Sequence, residues 1–209
     1  MKKQNQEASL DYYIPRFREL NPSEAAERTN LAFDHESSRF ILNALGHVLY
    51  AEWPEFKLIP ADSESCPEPL YSFPAQVLTM RILLTGVYAP SGGSFKAYRE
   101  LPWGELYDKN FSGRCIKRFA YGFGFKLDKF VKAAEKLGGE KLTLGDAAFD
   151  FPFFGGITSR FILWVPDDEF PPSAQILFTD NSVVMYNAED LAVVGDVIIT
   201  SLRYVEKLI

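Results

Sequence analysis

The densest chemistry in the sequence is a run of three carboxylates, Asp167, Asp168 and Glu169, that ends in Phe170-Pro171-Pro172. Adjacent carboxylates demand water, a cation or hydrogen-bond donors, and two prolines restrict the backbone that carries them. Together with Asp180 the run offers the oxygen ligands that Mg²⁺ or Ca²⁺ prefer. On that reading Asp167, Asp168, Glu169 and Asp180 serve a divalent-metal-dependent, hydrolase-like enzyme. The spacing is not that of an EF-hand, because Phe170, Pro171 and Pro172 stand where that loop needs further oxygen ligands and a glycine. The competing reading is a solvated loop whose carboxylates cap turns or pair with Arg160.

A second stretch, Arg99 to Phe111 (RELPWGELYDKNF), sets an arginine and three carboxylates among large aromatics and two helix breakers. Guanidinium makes bidentate bonds to carboxylate or phosphate, so Arg99 is placed to grip an anion beside Trp103 and Tyr107. If Arg99 docks on Asp168, the two loops merge into one ligand site of Arg99, Glu100, Trp103, Tyr107, Asp168 and Glu169. The alternative is a local Arg99–Glu100 ion pair with the aromatics as packing. A third stretch, Arg114 to Lys141, places Lys129, Lys132 and Lys136 at helical spacing. That is a face for an acidic partner or the ordinary wet side of a helix.

Nucleophilic catalysis finds little in the chain. His35 and His47 fall among short strands, no Gly-x-Ser-x-Gly elbow occurs, and neither Cys66 nor Cys115 has a histidine nearby in sequence. The glycine pairs at 92–93, 138–139 and 155–156 lack the spacing of a phosphate loop and read as turns.

The elements that must position these residues follow from periodicity. Leu10–Leu20 and Pro22–Arg28 read as helices, with Asn21 as a cap and Pro15 in or near a first turn. Leu31–Asp34, Arg39–Asn43 and Gly46–Glu52 alternate as a small antiparallel meander. Residues 53–70 carry four prolines and read as a flexible connection, apart from a short strand at Lys57–Ile59. Ser72 caps a helix ending near Tyr88. Phe95–Leu101 alternates like a strand, and Glu105–Tyr121 is helical with a break at Ser112-Gly113. Leu127–Leu137 is a helix closed by Gly138-Gly139, since glycine takes the left-handed conformation at little cost. Ala147–Phe154 and Ile157–Val165 form a hairpin, and Ala174–Phe178 is the neighbouring strand. Asn187 and Asp190 have capping spacing for a last helix running to about Lys207.

The totals set outer limits. A chain of 209 residues, 47% hydrophobic with 18 Phe, buries a substantial aromatic core. A formal charge of −6 argues against duplex nucleic acid as a partner. Two cysteines without a CxxC give neither a disulfide framework nor an iron–sulfur cluster. No apolar run has signal-peptide or membrane-spanning length, so the expectation is a cytoplasmic protein without a membrane partner.

Three long matches give a resemblance. YRELPWGELYDKNF at Tyr98–Phe111, LGGEKLTLGDAAFDFPFF at Leu137–Phe154 and ILWVPDDEFPPSAQILFTDNS at Ile162–Ser182, followed by EDLAVVGDVI, resemble the bacterial and archaeal family known as domain of unknown function 3786. The resemblance covers the C-terminal two thirds; before about Tyr71 it extends only to general layout. It implies no established activity. Some relatives carry an added cysteine-rich iron–sulfur segment, and members resemble companions of corrinoid and one-carbon metabolism in anaerobes. This chain lacks those cysteines, which leaves ligand binding or docking as the role that transfers.

The expectation is a single α+β domain over 1–209: mostly antiparallel sheet covered by helices, with the long C-terminal helix packed on it. Residues 1–8 form a loose tail, and 53–70 link a small N-terminal lobe to the main body. The leading function is a non-catalytic binding or accessory module for a small anionic ligand or protein partner, and the rival is the metal-dependent enzyme.

Overall fold

The computed structural model describes residues 2–209, with side chains from Leu10 onward. It is an α+β structure of two antiparallel sheets sharing one core. Helix α1 (Lys2–Arg18) holds Pro15 in its interior rather than at its start. Of the expected tail over 1–8, Met1 and the side chains of 2–8 lie outside the described residues. Helix α2 (Pro22–Thr29) begins where Asn21 accepts hydrogen bonds from the amides of Ser23 and Glu24. This satisfies two of the amides that every helix start leaves free.

The expected meander is present as β1 (Ala32–Asp34), β2 (Arg39–Ala44) and β3 (His47–Glu52). A fourth strand, β4 (Lys57–Pro60), completes the sheet in the order β1-β2-β3-β4. Within the proline-rich stretch 53–70, the expected short strand at Lys57–Ile59 is β4, extended by Pro60. Tyr50 pairs with Ile59 across β3 and β4, and Cys66, Pro69 and Leu70 are buried. Helix α3 (Phe73–Thr85) stops at Gly86, short of Tyr88, because the amides of Val87 and Tyr88 leave the helix to bond the Val184 and Arg28 carbonyls.

The second sheet runs β5-β9-β8-β7-β6: β5 (Phe95–Ala97), β6 (Glu140–Leu142), β7 (Ala147–Phe153), β8 (Ile157–Trp164) and β9 (Ser173–Thr179). Gly155 and Gly156 take φ of +79° and +73° in the β7–β8 turn, the left-handed pair that a tight hairpin requires. Alternation along β7, β8 and β9 sends Phe149, Phe151, Phe161 and Phe178 to one buried face. On the opposite face Arg160 makes a bidentate pair with Asp150 at 2.8 Å and stacks on Phe95. It does not reach the acidic loop.

Helices close over the phenylalanine face. Helix α4 (Gly104–Phe111) continues through a π-helical turn, Ser112–Lys117, into α5 (Arg118–Phe123), so the expected break at Ser112-Gly113 is a widened turn in one rod. Helix α6 (Leu127–Lys136) ends at Gly138, φ +63°. The short α7 (Ser182–Met185) precedes α8 (Ala188–Glu206), whose start is closed reciprocally by Asn187 and Asp190. The two sheets meet where the Leu45 amide donates to the Pro152 carbonyl at 3.0 Å. There Gly46 and Gly138 pass so closely that a methyl on Gly138 would lie 3.1 Å from the Gly46 Cα. Among the described residues no helix is long and apolar enough to cross a membrane.

Phe161 is wholly buried, with the rings of Phe119 and Phe151 at 5.2 and 5.5 Å. Removing such a ring costs its burial and leaves a cavity. Phe161→Ala is expected to lower the unfolding free energy by about 3–5 kcal/mol, read from urea denaturation.

Candidate functional site

The corner between β5 and α4 has a definite local cause. Glu100 reaches back to the amide of Ala97 at 2.6 Å, which ends β5 and curls Tyr98–Glu100 into a 3₁₀ turn instead of continuing the strand to Leu101. Tyr98 is buried there, stacked on Phe111 with centroids 4.0 Å apart, and its hydroxyl donates to the Ala188 carbonyl at 2.8 Å. Burial pushes that hydroxyl's pKa up to about 12, so it stays a donor.

Beyond the turn the chain folds tightly back on itself. A Cβ added to Gly104 would lie 1.9 Å from the Tyr98 carbonyl oxygen, so only glycine fits. Trp103, one residue before, takes φ +65°, a conformation costly for a bulky side chain. The strain holds the indole outside the fold: Trp103 is 73% exposed, with Leu106 72% and Tyr107 49% exposed on the same side of α4. A notch of about 220 Å³ lies between Trp103 and the start of α8, walled by Leu101, Val183, Tyr186, Ala188 and Leu191.

The two loops that were expected to share a site do not. Arg99 faces away from Trp103, into a hollow with Asp108, Ser112 and Gln175. Glu100 is committed to Ala97. The acidic loop turns on itself instead: Asp167 accepts from the amides of Glu169 and Phe170, and its own amide donates to the Phe170 carbonyl. It borders a separate, open hollow with Asp146, Trp164 and Pro171. Among the described residues Arg99 and Asp168 form no ion pair, and none of these three hollows is lined by both loops. Of these carboxylates, Asp167 caps a turn.

The metal grouping fails on distance. Asp180 lies just past the far end of β9, and seven residues at about 3.3 Å each separate it by roughly 20 Å from Asp167, Asp168 and Glu169. Its carboxylate is already held by the Ser91 and Ser94 hydroxyls, each at 2.8 Å, and by the Gly92 amide at 3.0 Å. Among the described residues no three His, Cys, Asp or Glu side chains gather as a metal site. Of the lysine face, Lys129 is tied down, donating to the Ile209 carbonyl.

Another charged hollow involves residues that sequence patterns give no reason to join. It measures about 340 Å³, between α3 and α8, with Phe73, Val77 and Val193 on its walls and Arg81, Arg114, Glu189 and Asp190 at its polar end. Arg81 pairs with buried Asp190 and donates to the Tyr13 hydroxyl at 3.0 Å. Burial raises the Asp190 carboxyl while Arg81 opposes that shift. The nearby Cys115 thiol, bonded to the Ala192 carbonyl, is pushed up to about 12 by burial, and Cys66 to about 11. Neither is an activated nucleophile.

With this geometry in place, comparison with known families is informative. The model of the family described as Domain of unknown function (DUF3786) matches residues 21–201. The chain belongs to that family. The match takes in the first sheet as well as the second, so the DUF3786 unit begins at the cap of α2, well before the three stretches that carry the resemblance. No curated protein and no solved structure matches the chain significantly.

The Asp180 lock carries a pH prediction. Bonds from Ser91 and Ser94 hold its carboxyl below the ordinary carboxylate range. A depressed folded-state pKa stabilises above the unfolded value and is lost as pH falls through the folded one. The protection factor of the Gly92 amide, its exchange rate corrected for the intrinsic pH dependence, should therefore fall on acidification below about pH 4. Asp180→Asn should show the lower protection already at pH 7, with no further fall on acidification.

Proposed function

We propose that the protein is a non-catalytic docking module whose recognition element is the exposed corner Pro102–Tyr107 and the apolar notch behind it. The observation that carries the reading is Trp103, held outward in a left-handed conformation that folding alone would not select. Strained residues persist where the surroundings enforce them and function uses them. Tryptophan and tyrosine are the side chains most often found as binding hot spots, and a neighbouring preformed pocket is their usual complement.

The occupant is a segment of a partner protein that lays an apolar side chain into the notch. About 220 Å³ is room for one leucine- to phenylalanine-sized group, and no charged residue lines it. Leu106 and Tyr107 would extend the contact along α4 in the manner of an amphipathic face meeting a groove. Two buried free cysteines suit a reducing compartment, which favours the cytoplasm as the setting of this docking.

The test compares wild type with Trp103→Ala and Leu106→Ala, each checked by circular dichroism and thermal midpoint. A partner recovered by cross-linking in the source cells, then purified, should bind wild type at least tenfold tighter than Trp103→Ala by calorimetry, since a hot-spot truncation costs about 2 kcal/mol or more. Equal binding by folded variants, or a cross-linked contact that avoids α4, would overturn the assignment.

A further inference from the structure

The hollow between α3 and α8 has a charge balance that selects a ligand class. Asp190 is spent on Arg81, and both its oxygens are used, the second by the Asn187 amide. Asp196 is shared by Arg114 and Arg118, and Arg118 also donates to the Thr200 hydroxyl at 2.8 Å. Counting Arg81 with Asp190 and Arg118 with Asp196 leaves one cation, Arg114, and one anion, Glu189, both lining the hollow.

Unused hydrogen-bonding capacity matches that count. Among the described residues Arg81 uses Nε and Nη1, leaving Nη2, and Arg114 uses Nη2, leaving Nε and Nη1. Glu189 makes no side-chain hydrogen bond among them and is exposed. Free guanidinium N–H groups suit a carboxylate, and a free carboxylate suits an ammonium group. A simple anion would leave Glu189 opposed to it, and a simple cation would face Arg114. Phe73, Val77 and Val193 supply an apolar wall, and about 340 Å³ lies within the range of small-molecule sites.

We infer that this hollow binds a small amino-carboxylate with an apolar side chain. Its carboxylate sits on Arg114 and the free edge of Arg81, its ammonium group on Glu189, and its side chain against Phe73 and Val77. A second hollow of about 230 Å³ shares Arg114 and Glu189 and reaches Tyr107, which gives a larger side chain or a short peptide terminus room to extend. The site is separate from the Trp103 notch and does not depend on the docking reading.

Calorimetry on the full chain tests it, with L-phenylalanine and L-leucine as probes and phenylacetate and phenethylamine as controls. Phenylalanine should bind with a dissociation constant below about 1 mM, and each control at least tenfold more weakly, since each lacks one charge-assisted bond. Arg114→Met and Glu189→Gln lie at the surface and should keep the thermal midpoint while losing at least tenfold in affinity. Trp103→Ala should bind the probes normally. Absence of heat with both amino acids at about 10 mM, controls that bind equally, or folded Arg114 and Glu189 variants with unchanged affinity would each overturn the inference.

Discussion

The hydroxyl of Tyr98 and the carbonyl of Ala188 tie together two parts of the chain ninety residues apart. Around that bond the corner between β5, α4 and α8 is assembled. The stack of Tyr98 on Phe111 fixes where α4 starts and how it leans, and the bond itself fixes where α8 begins relative to it. A buried tyrosine with its hydroxyl satisfied combines a large apolar area with one directional constraint, so it sets orientation as well as cohesion. Without it, the notch beside Trp103 would not have two defined walls.

The surface built on this joint is divided by chemistry. On one side of the start of α8 lies an uncharged notch beside an indole forced outward; on the other lies a hollow rich in paired ions with one spare charge of each sign. Helix α8 is the common floor. The capping box that opens it, Asn187 with Asp190, therefore does two things: it closes the helix terminus, and it buries the carboxylate that orients Arg81. The buried ion pair is better regarded as a positioning device than as a source of stability, because desolvation offsets much of the attraction.

Much of the fold is legible in the sequence because short-range physics decides it. The alternation of β2 and β3, the phenylalanine rows of β7 and β8, the Gly155-Gly156 turn and the Asn187–Asp190 cap each arise from periods and caps within a dozen residues. The failures have equally local causes. Glu100 has the chemistry of a ligand group and is instead the hook that ends β5. At the site, Trp103 and Tyr107 both stand exposed at the start of one helix, yet they line different hollows. Arg99 and Asp168 are joined by chemistry alone, and nothing in their spacing shows that Arg99 turns toward Gln175 instead. Arg81, Arg114 and Glu189 escape a sequence reading because they come from three elements far apart in the chain, each unremarkable in its own.

The π-helical turn at Ser112–Lys117 ties the orientation of the corner to the length of a single segment. An α-helix advances about 100° per residue, so a turn that accommodates one extra residue rotates the helix before it by about that angle relative to the helix after it. Here it lets Cys115 settle against Gly195 while Arg114 and Arg118 both reach Asp196. A homologue one residue shorter in this segment could keep the same core and yet aim its tryptophan a quarter-turn away. Relatives with similar cores would then differ in the direction from which they are approached.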